Sequence, residues 1–187
     1  MSGKPACLMS AVGHIVDFVN YISRQAAMTT TEIVLSQADS PELVATARGL
    51  FREYAQAIGT DLEYQGFAAK LAALPAPYVP PQGALLVAQV GADVVACVAL
   101  RALDARTGEM KRLYVRPAYR SSGLGRHLVA AVIGAARSAG YGELRLDTLP
   151  SMASAHALYR RLGFVETAAY NDTYLPGTRF YALALCR

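Results

Sequence analysis

Charge is scarce in this chain. Only 17% of its 187 residues are Asp, Glu, Lys or Arg, against 53% hydrophobic, and the formal net charge is +4. That is too little charge for disorder and enough apolar material for one packed domain. No block of five or more Lys and Arg occurs, so the composition carries no nucleic-acid signature. Cysteine is rare as well. Cys7, Cys97 and Cys186 are widely spaced, with no metal-ligand or redox spacing. They read as reduced thiols of a cytoplasmic protein, and Cys97, inside an apolar strand, reads as core. No metal is expected. Long apolar runs are also missing. Leu8–Ile22 is broken by His14, Asp17 and Asn20, which argues against a membrane span and against a signal-peptide core.

What is present is a mixed α/β pattern without internal repeats. Glu32–Gln37 is a short β-type run. Ser40, Pro41 and Glu42 then read as a helix start, with Ser40 as N-cap and Pro41 at the first helical position. Leu43, Ala47, Leu50, Phe51 and Tyr54 recur at helical spacing until Gly59. A second helical stretch covers about 61–74, and Pro75, Pro77, Pro80 and Pro81 stiffen the loop after it. Ala84–Val90 and Asp93–Leu103 read as a hairpin around Gly91 and Ala92. Glu109–Val115 is a strand, Ser122–Ala139 a helix and Glu143–Thr148 a strand. Together they make a βαβ unit whose two strands should be parallel. In the helix, Leu124, Leu128, Val129, Val132, Ile133 and Ala136 form the buried stripe, and Gly140 ends it. Ser151–Leu162 is a further helix ended by Gly163, followed by Phe164–Thr167 and a last strand, Arg179–Leu185.

The run Arg120-Ser121-Ser122-Gly123-Leu124-Gly125 sits between a strand and a helix start. Unpaired backbone N–H groups there point one way, and the helix dipole adds partial positive charge, so the run suits an anion. Glycine lets the backbone approach a diphosphate without a Cβ in the way. Arg101, Arg106, Lys111, Arg112, Arg116, Arg120 and Arg126 also crowd residues 101–126. A polyphosphate would suit that stretch, and a solvated basic surface is the alternative. The dinucleotide-binding fingerprint fails, because Leu128 holds its third glycine position and Arg116–Ser122 separate the strand from the glycines. No Gly-Lys-Ser/Thr follows, which excludes an ATP-type loop.

The segment Glu109–Phe164 resembles the GNAT acetyltransferase superfamily. Arg120-x-x-Gly123-x-Gly125 is similar to that family's R/Q-x-x-G-x-G/A pyrophosphate loop. Leu158-Tyr159-Arg160-Arg161-Leu162-Gly163-Phe164 is similar to its L-Y-x-x-x-G-F helix end. The resemblance is firm over residues 109–164, looser over 31–108 and 165–187, and absent over 1–28. It implies an α/β (α+β) fold: a mostly antiparallel mixed sheet, a central splayed parallel strand pair and flanking helices. It implies acetyl-CoA as cofactor, held by Arg120, Ser121, Ser122, Gly123, Leu124, Gly125 and Arg126. The main chain of Leu113, Tyr114 and Val115 would pair with pantetheine, and an N–H near Val115 would polarise the thioester carbonyl. Tyr159 falls at the family's general-acid position, where a phenol can donate to a departing thiolate. Its alternative is ring packing on the sheet. Glu109 falls where family members carry a glutamate base, which would take the proton an acceptor ammonium must lose. Its alternative is a sheet-surface glutamate paired with Lys111 or Arg112.

Two positions depart from the family. Met152 stands where an Asn commonly contacts the coenzyme, and Ser121-Ser122 replaces a commoner Arg-Gly pair, for which Arg126 offers compensation. His127 reads as a helix-surface residue, with contact to the 3′-phosphate ribose region of the coenzyme as its alternative, and His156 reads as a helix-surface residue. The acceptor site would draw on Phe51–Tyr64 and Tyr170–Tyr174, with Tyr54, Tyr64, Tyr78, Tyr170 and Tyr174 as aromatic walls. Arg101 would bind a substrate carboxylate, with a surface ion pair as its alternative. The partner expected is therefore a small-molecule amine; no nucleic acid and no membrane are expected, and the resemblance admits a homodimer. Competing readings are a non-catalytic CoA-binding module, a protein or peptide amine acetyltransferase, and a nucleotide-binding oxidoreductase. Met28 precedes the first clear strand, so the working domain is expected over 29–187, with 1–28 as an appendage. Mass spectrometry of the native N-terminus checks this: the expected first peptide begins near Met28, and one spanning Met1–Arg24 rules it out.

Overall fold

The computed structural model describes residues 32–59, 66–172 and 174–185. The expectations for residues 1–28 and for His14, Tyr64, Cys7 and Cys186 lie outside those residues. From Ile33 onward the chain forms one compact unit. Its strands are β1 (Ile33–Gln37), β2 (Ala84–Val90), β3 (Asp93–Ala102), β4 (Thr107–Val115), β5 (Glu143–Thr148), β6 (Val165–Thr167) and β7 (Arg179–Ala184). The helices are α1 (Pro41–Ile58), α2 (Phe67–Ala72), α3 (Leu124–Ser138) and α4 (Ala153–Arg161).

Local chemistry sets the helix limits. The Ser40 hydroxyl accepts from the Leu43 N–H at 3.2 Å, Pro41 opens α1, and Gly59 closes it in the left-handed region. Of the second helix expected over 61–74, the described residues show Phe67–Ala72. Helix α3 starts at Leu124, two residues later than expected, because Gly123 is its N-cap and Ser121 and Ser122 belong to the loop.

The seven strands lie in the order β1-β2-β3-β4-β5-β7-β6. All neighbours are antiparallel except β4 and β5, joined through α3. The mixed sheet and its single parallel pair are as expected. Apolar side chains on both faces hold it between two helical layers. On one face Val98, Leu100, Met110, Leu144 and Leu146 cluster with Leu124, Leu128 and Val132 of α3 and Tyr159 of α4. On the other, Leu85, Val87, Cys97, Ala99 and Tyr114 cluster with Val44, Ala47, Leu50 and Phe51 of α1. Fully buried Cys97 is core, and burial pushes its thiol up.

Strand β4 breaks its own alternation. Cys97 faces Tyr114 but Ala99 faces Lys111, so Val98 opposes two residues, Arg112 and Leu113. This is a β-bulge, with Arg112 in the left-handed region at φ 57°. Before it Glu109 and Lys111 share the α1 face; after it Tyr114 does. A strict period of two would have put Tyr114 on the α3 face.

The loop into β2 is tied by close backbone approach. A Cβ at Gly83 would stand 2.6 Å from the Pro77 carbonyl oxygen and 2.8 Å from that of Leu100. Gly83→Ala should therefore destabilise the protein by about 2 kcal/mol. Gly134→Ala, in mid-α3 with open space around it, should stabilise by about 0.5–1 kcal/mol. Denaturant unfolding of the two variants checks the contrast.

Candidate active site

The anion loop is built by backbone conformation. After β4 a 3-10 turn, Pro117–Tyr119, leads to Ser121 and Gly123, both left-handed, at φ 65° and 89°. The Ser122 hydroxyl donates to the Tyr119 carbonyl at 2.7 Å and closes the turn. No side chain caps α3, so its first-turn N–H groups and the positive end of its dipole remain for a ligand. Gly125 passes beneath Leu158 of α4, where a Cβ would make ordinary contact at 3.5 Å. Arg120 donates from Nε to the Val115 carbonyl at 3.1 Å and stacks 6.0 Å over the Tyr114 ring. Arg126 and His127 are exposed on the first turn of α3.

The parallel pairing of β4 with β5 covers only Thr107↔Glu143, Gly108↔Leu144 and Glu109↔Arg145. Beyond Glu109 the strands diverge, and a cleft opens between them. Tyr54, Met110, Lys111, Arg112, Leu113, Leu146, Asp147, Thr148, Met152, Ala155 and Tyr159 line it. The bulge at Arg112 turns the main chain in the middle of this divergence. Leu113, Tyr114 and Val115 thus run from the cleft towards the anion loop, with no β5 partner on that side. A slender ligand with amide groups and a diphosphate at one end fits both features. Coenzyme A has those parts, and an acyl group on its sulfur would reach the closed end of the cleft.

At that closed end lies a buried charge network. Glu109 is only 1% exposed. Its Oε2 receives Nε and Nη2 of Arg101, both at 2.6 Å. Its Oε1 meets Lys111 Nζ at 3.0 Å and accepts from the Tyr170 hydroxyl at 3.0 Å. Lys111 Nζ also pairs with Asp147 Oδ1 across the splay. Burial alone would raise the Glu109 carboxyl, but Lys111 and Arg101 outweigh it and hold it below its ordinary value. For Lys111, burial is likewise outweighed by Asp147 and Glu109, which hold the ammonium above its ordinary value. Burial, then the Glu109 charge, pushes the Tyr170 phenol up.

The structure thus brings Arg101, Glu109 and Tyr170 together, as ion-pair and hydrogen-bond partners of one another. The surface setting considered for Glu109 does not hold, and its partners are Lys111 and Arg101. Arg112 goes elsewhere: its guanidinium packs 5.5 Å from the Tyr54 ring and 5.3 Å from the Phe67 ring. Tyr159 is buried between Phe164 and Tyr181 and also lines the cleft, so packing and access coincide. Burial, followed by Tyr54 and Asp147, pushes its phenol well above the usual range. Tyr174 packs edge-on against Phe180, away from the cleft-lining set. His156 is a correction: it is buried, with Nδ1 3.1 Å from the Tyr181 hydroxyl and Nε2 2.9 Å from the Leu149 carbonyl. A helix-surface position would leave those groups to water; here they anchor the loop after β5 beneath α4.

Lys111 and Asp147 were not among the expected site residues. The signal was available in the register. With Glu109 opposite Arg145, the next residues on that face are Lys111 and Asp147, and only the pairing of the strands brings them together.

Removing one member of a buried ion pair leaves the others uncompensated. Glu109→Gln should cost about 3 kcal/mol of stability near neutral pH. Because the folded carboxyl lies below its ordinary value, its contribution is complete above the unfolded value near 4.5. It is lost as pH falls through the folded value, so wild type and variant should converge in acid. Unfolding curves from pH 7 to pH 3 check both the gap and its closure.

The Acetyltransferase (GNAT) family model matches residues 42–164, more than half of the chain. An uncharacterized N-acetyltransferase of Schizosaccharomyces pombe is 33% identical over 162 residues, covering 86% of this chain and 99% of its own. An acetyltransferase structure from Streptococcus agalactiae shares the fold at a TM-score of 0.68 and 22% identity, over 82% of this chain and 98% of that one. An aminoglycoside 6'-N-acetyltransferase complexed with coenzyme A does so at 0.63 and 16%, over 82% and 98%. The splayed strand pair beside an uncapped helix start and the match over 42–164 agree, and the chain belongs to the GNAT acetyltransferase family, with acetyl-CoA as its acetyl donor.

Proposed function

We propose that this protein transfers the acetyl group of acetyl-CoA directly to a primary amine of a small molecule, within a ternary complex. The observation that carries this reading is the cleft where β4 leaves β5, open between the anion loop and the buried charge network. The first-turn amides of α3, from about Ser122 to Arg126, would take the diphosphate. Leu113–Val115 would pair with the amides of the pantetheine arm, and an N–H near Val115 would face the thioester oxygen. Tyr159 would donate a hydrogen bond to the departing thiolate; burial raises its phenol, which therefore stays protonated for that role.

Cys97 supports direct transfer. It is fully buried and does not line the cleft, which leaves it unsuited to carry an acetyl group. Glu109 was expected to take the proton of the amine. Both its oxygens are already engaged and its carboxyl is held low, so the geometry favours a positioning role instead. It fixes Lys111 and Arg101, and the proton leaves through water. Arg101 is committed to Glu109 through two nitrogens, which favours the ion-pair alternative over a substrate-carboxylate receptor. A small-molecule acceptor is supported by the aromatic wall that Tyr54 contributes to the cleft and by the aminoglycoside-acetylating neighbour of the same fold.

Thermal unfolding with acetyl-CoA, dephospho-CoA and NAD tests cofactor choice. A ligand at a hundredfold excess over Kd stabilises by about 2.7 kcal/mol. The shift is expected with acetyl-CoA and absent with NAD. Thiol release over a panel of primary amines then separates a transferase from a CoA-binding module, which would release none. Tyr159→Phe should lower kcat about a hundredfold and leave acetyl-CoA binding intact. For Glu109→Gln the pH profile of kcat/KM should keep its acidic limb; loss of that limb would restore Glu109 as the base.

A further inference from the structure

Lys111 occupies a place that the roles of Tyr159 and the Leu113–Val115 main chain leave unused. It lies two residues beyond Glu109 on β4, and Asp147 lies two residues beyond Arg145 on β5. Glu109↔Arg145 is the last backbone pair before the strands part. Lys111 and Asp147 are therefore the pair that would have come next on that face. They meet through an ion pair across the gap, where the backbones no longer do. An ammonium has three N–H donors. Glu109 Oε1 and Asp147 Oδ1 take two, and among the described residues no other acceptor reaches Lys111. Its side chain is 14% exposed and lines the cleft.

The order of the chain says what arrives there. The anion loop follows the C-terminal end of β4. A ligand anchored at 122–126 and running back along Val115, Tyr114 and Leu113 reaches the bulge and then Lys111. Its far end is the acyl sulfur. Tyr159 of α4 lines the same cleft.

We propose that the Lys111 ammonium, held across the splay by Glu109 and Asp147, faces the sulfur of the bound coenzyme and stabilises the thiolate that leaves on transfer. This rests on the reading that the cleft takes acetyl-CoA. In the transfer, the acceptor nitrogen bonds to the carbonyl carbon and its proton passes to solvent. The C–S bond breaks with its electron pair on sulfur, the Tyr159 hydroxyl donates a hydrogen bond to the thiolate, and the thiolate takes its proton from solvent. A fixed positive charge beside the sulfur favours the breaking step at low cost, because the two carboxylates have already oriented it. The role differs from that of Glu109 and Asp147, which act through Lys111 as positioning residues.

The same charge must act on the product. A cation within ~4–6 Å lowers the pKa of an acid by roughly 1–3 units. The free thiol titrates near ~8.5. The bound thiol should therefore ionise below that, and coenzyme A should bind more tightly as pH rises from 7 to 9. Desulfo-coenzyme A lacks the sulfur and reports every other pH effect. Calorimetric titration of both ligands across this range gives the ratio of their affinities. In the wild type the ratio should shift about tenfold or more in favour of coenzyme A. In Lys111→Met the shift should vanish, and in Lys111→Arg most of it should remain. A wild-type ratio that does not change with pH overturns the proposal, whatever the variants do. So does a shift that survives in Lys111→Met. A Lys111→Met protein that is merely less stable, with the shift intact, makes the ion pair a tie between strands and nothing more. If neither coenzyme A nor desulfo-coenzyme A binds the wild type, the cleft reading itself fails, and this inference falls with it.

Discussion

Everything in the site depends on a parallel strand pairing that stops early. Strands β4 and β5 keep their backbone hydrogen bonds for three residue pairs and then part. In an ordinary sheet, β4 would go on pairing with Leu146, Asp147 and Thr148 of β5, and no ligand could reach the amides between them. Here the main chain of Leu113–Val115 is left on one side without a strand partner. Unpaired buried backbone is costly unless something satisfies it. The slender amide-bearing arm of coenzyme A is the partner such a gap can take.

The divergence is held by chemistry on both strands. On β4 the bulge at Arg112 adds a residue, turns the chain and carries Tyr114 to the α1 face. Arg112 bears a left-handed backbone there, and its guanidinium is packed against Tyr54 and Phe67. Cys97 donates from Sγ to the Arg112 carbonyl at 3.7 Å. Between the strands, the Lys111–Asp147 pair keeps the closed end shut while the rest stays open. On the far side, His156 pins the loop after β5 through the Leu149 carbonyl, which fixes where Thr148 and Met152 stand in the cleft wall. Met152 lies against the Thr148 hydroxyl, with Sδ 3.5 Å from Oγ1, and fills space there without offering the hydrogen bond an Asn would.

Buried charge is unusual in a chain with so little of it. Arg101, Glu109, Lys111 and Asp147 are two cations and two anions. Their mutual neutrality makes their burial tolerable. Glu109 and Lys111 illustrate how burial and partners oppose each other. Desolvation favours the neutral form of both, and the neighbouring charges restore the ionised one. Tyr159 has burial without a compensating cation, and its proton is held tightly. One cleft therefore contains a fixed positive charge and a phenol that stays protonated, an ion-pair partner and a hydrogen-bond donor for a departing thiolate.

The sequence by itself determined the elements and the loop. Ser40 and Pro41 start α1, the stripe from Leu124 to Ala136 packs α3, and Gly123 turns the chain, because capping, helical periodicity and a positive φ are local properties. It also marked Glu109, Tyr159 and the Arg120–Gly125 run by their resemblance to a family. Only the tertiary structure decided what those residues touch. The bulge shifts the face of every later β4 residue, and His156 turns inward where its helix meets β7. Lys111 meets Asp147 only once two strands distant in sequence are set in register. Such contacts depend on which strand lies beside which and by how many residues it is offset, and no local pattern encodes that offset.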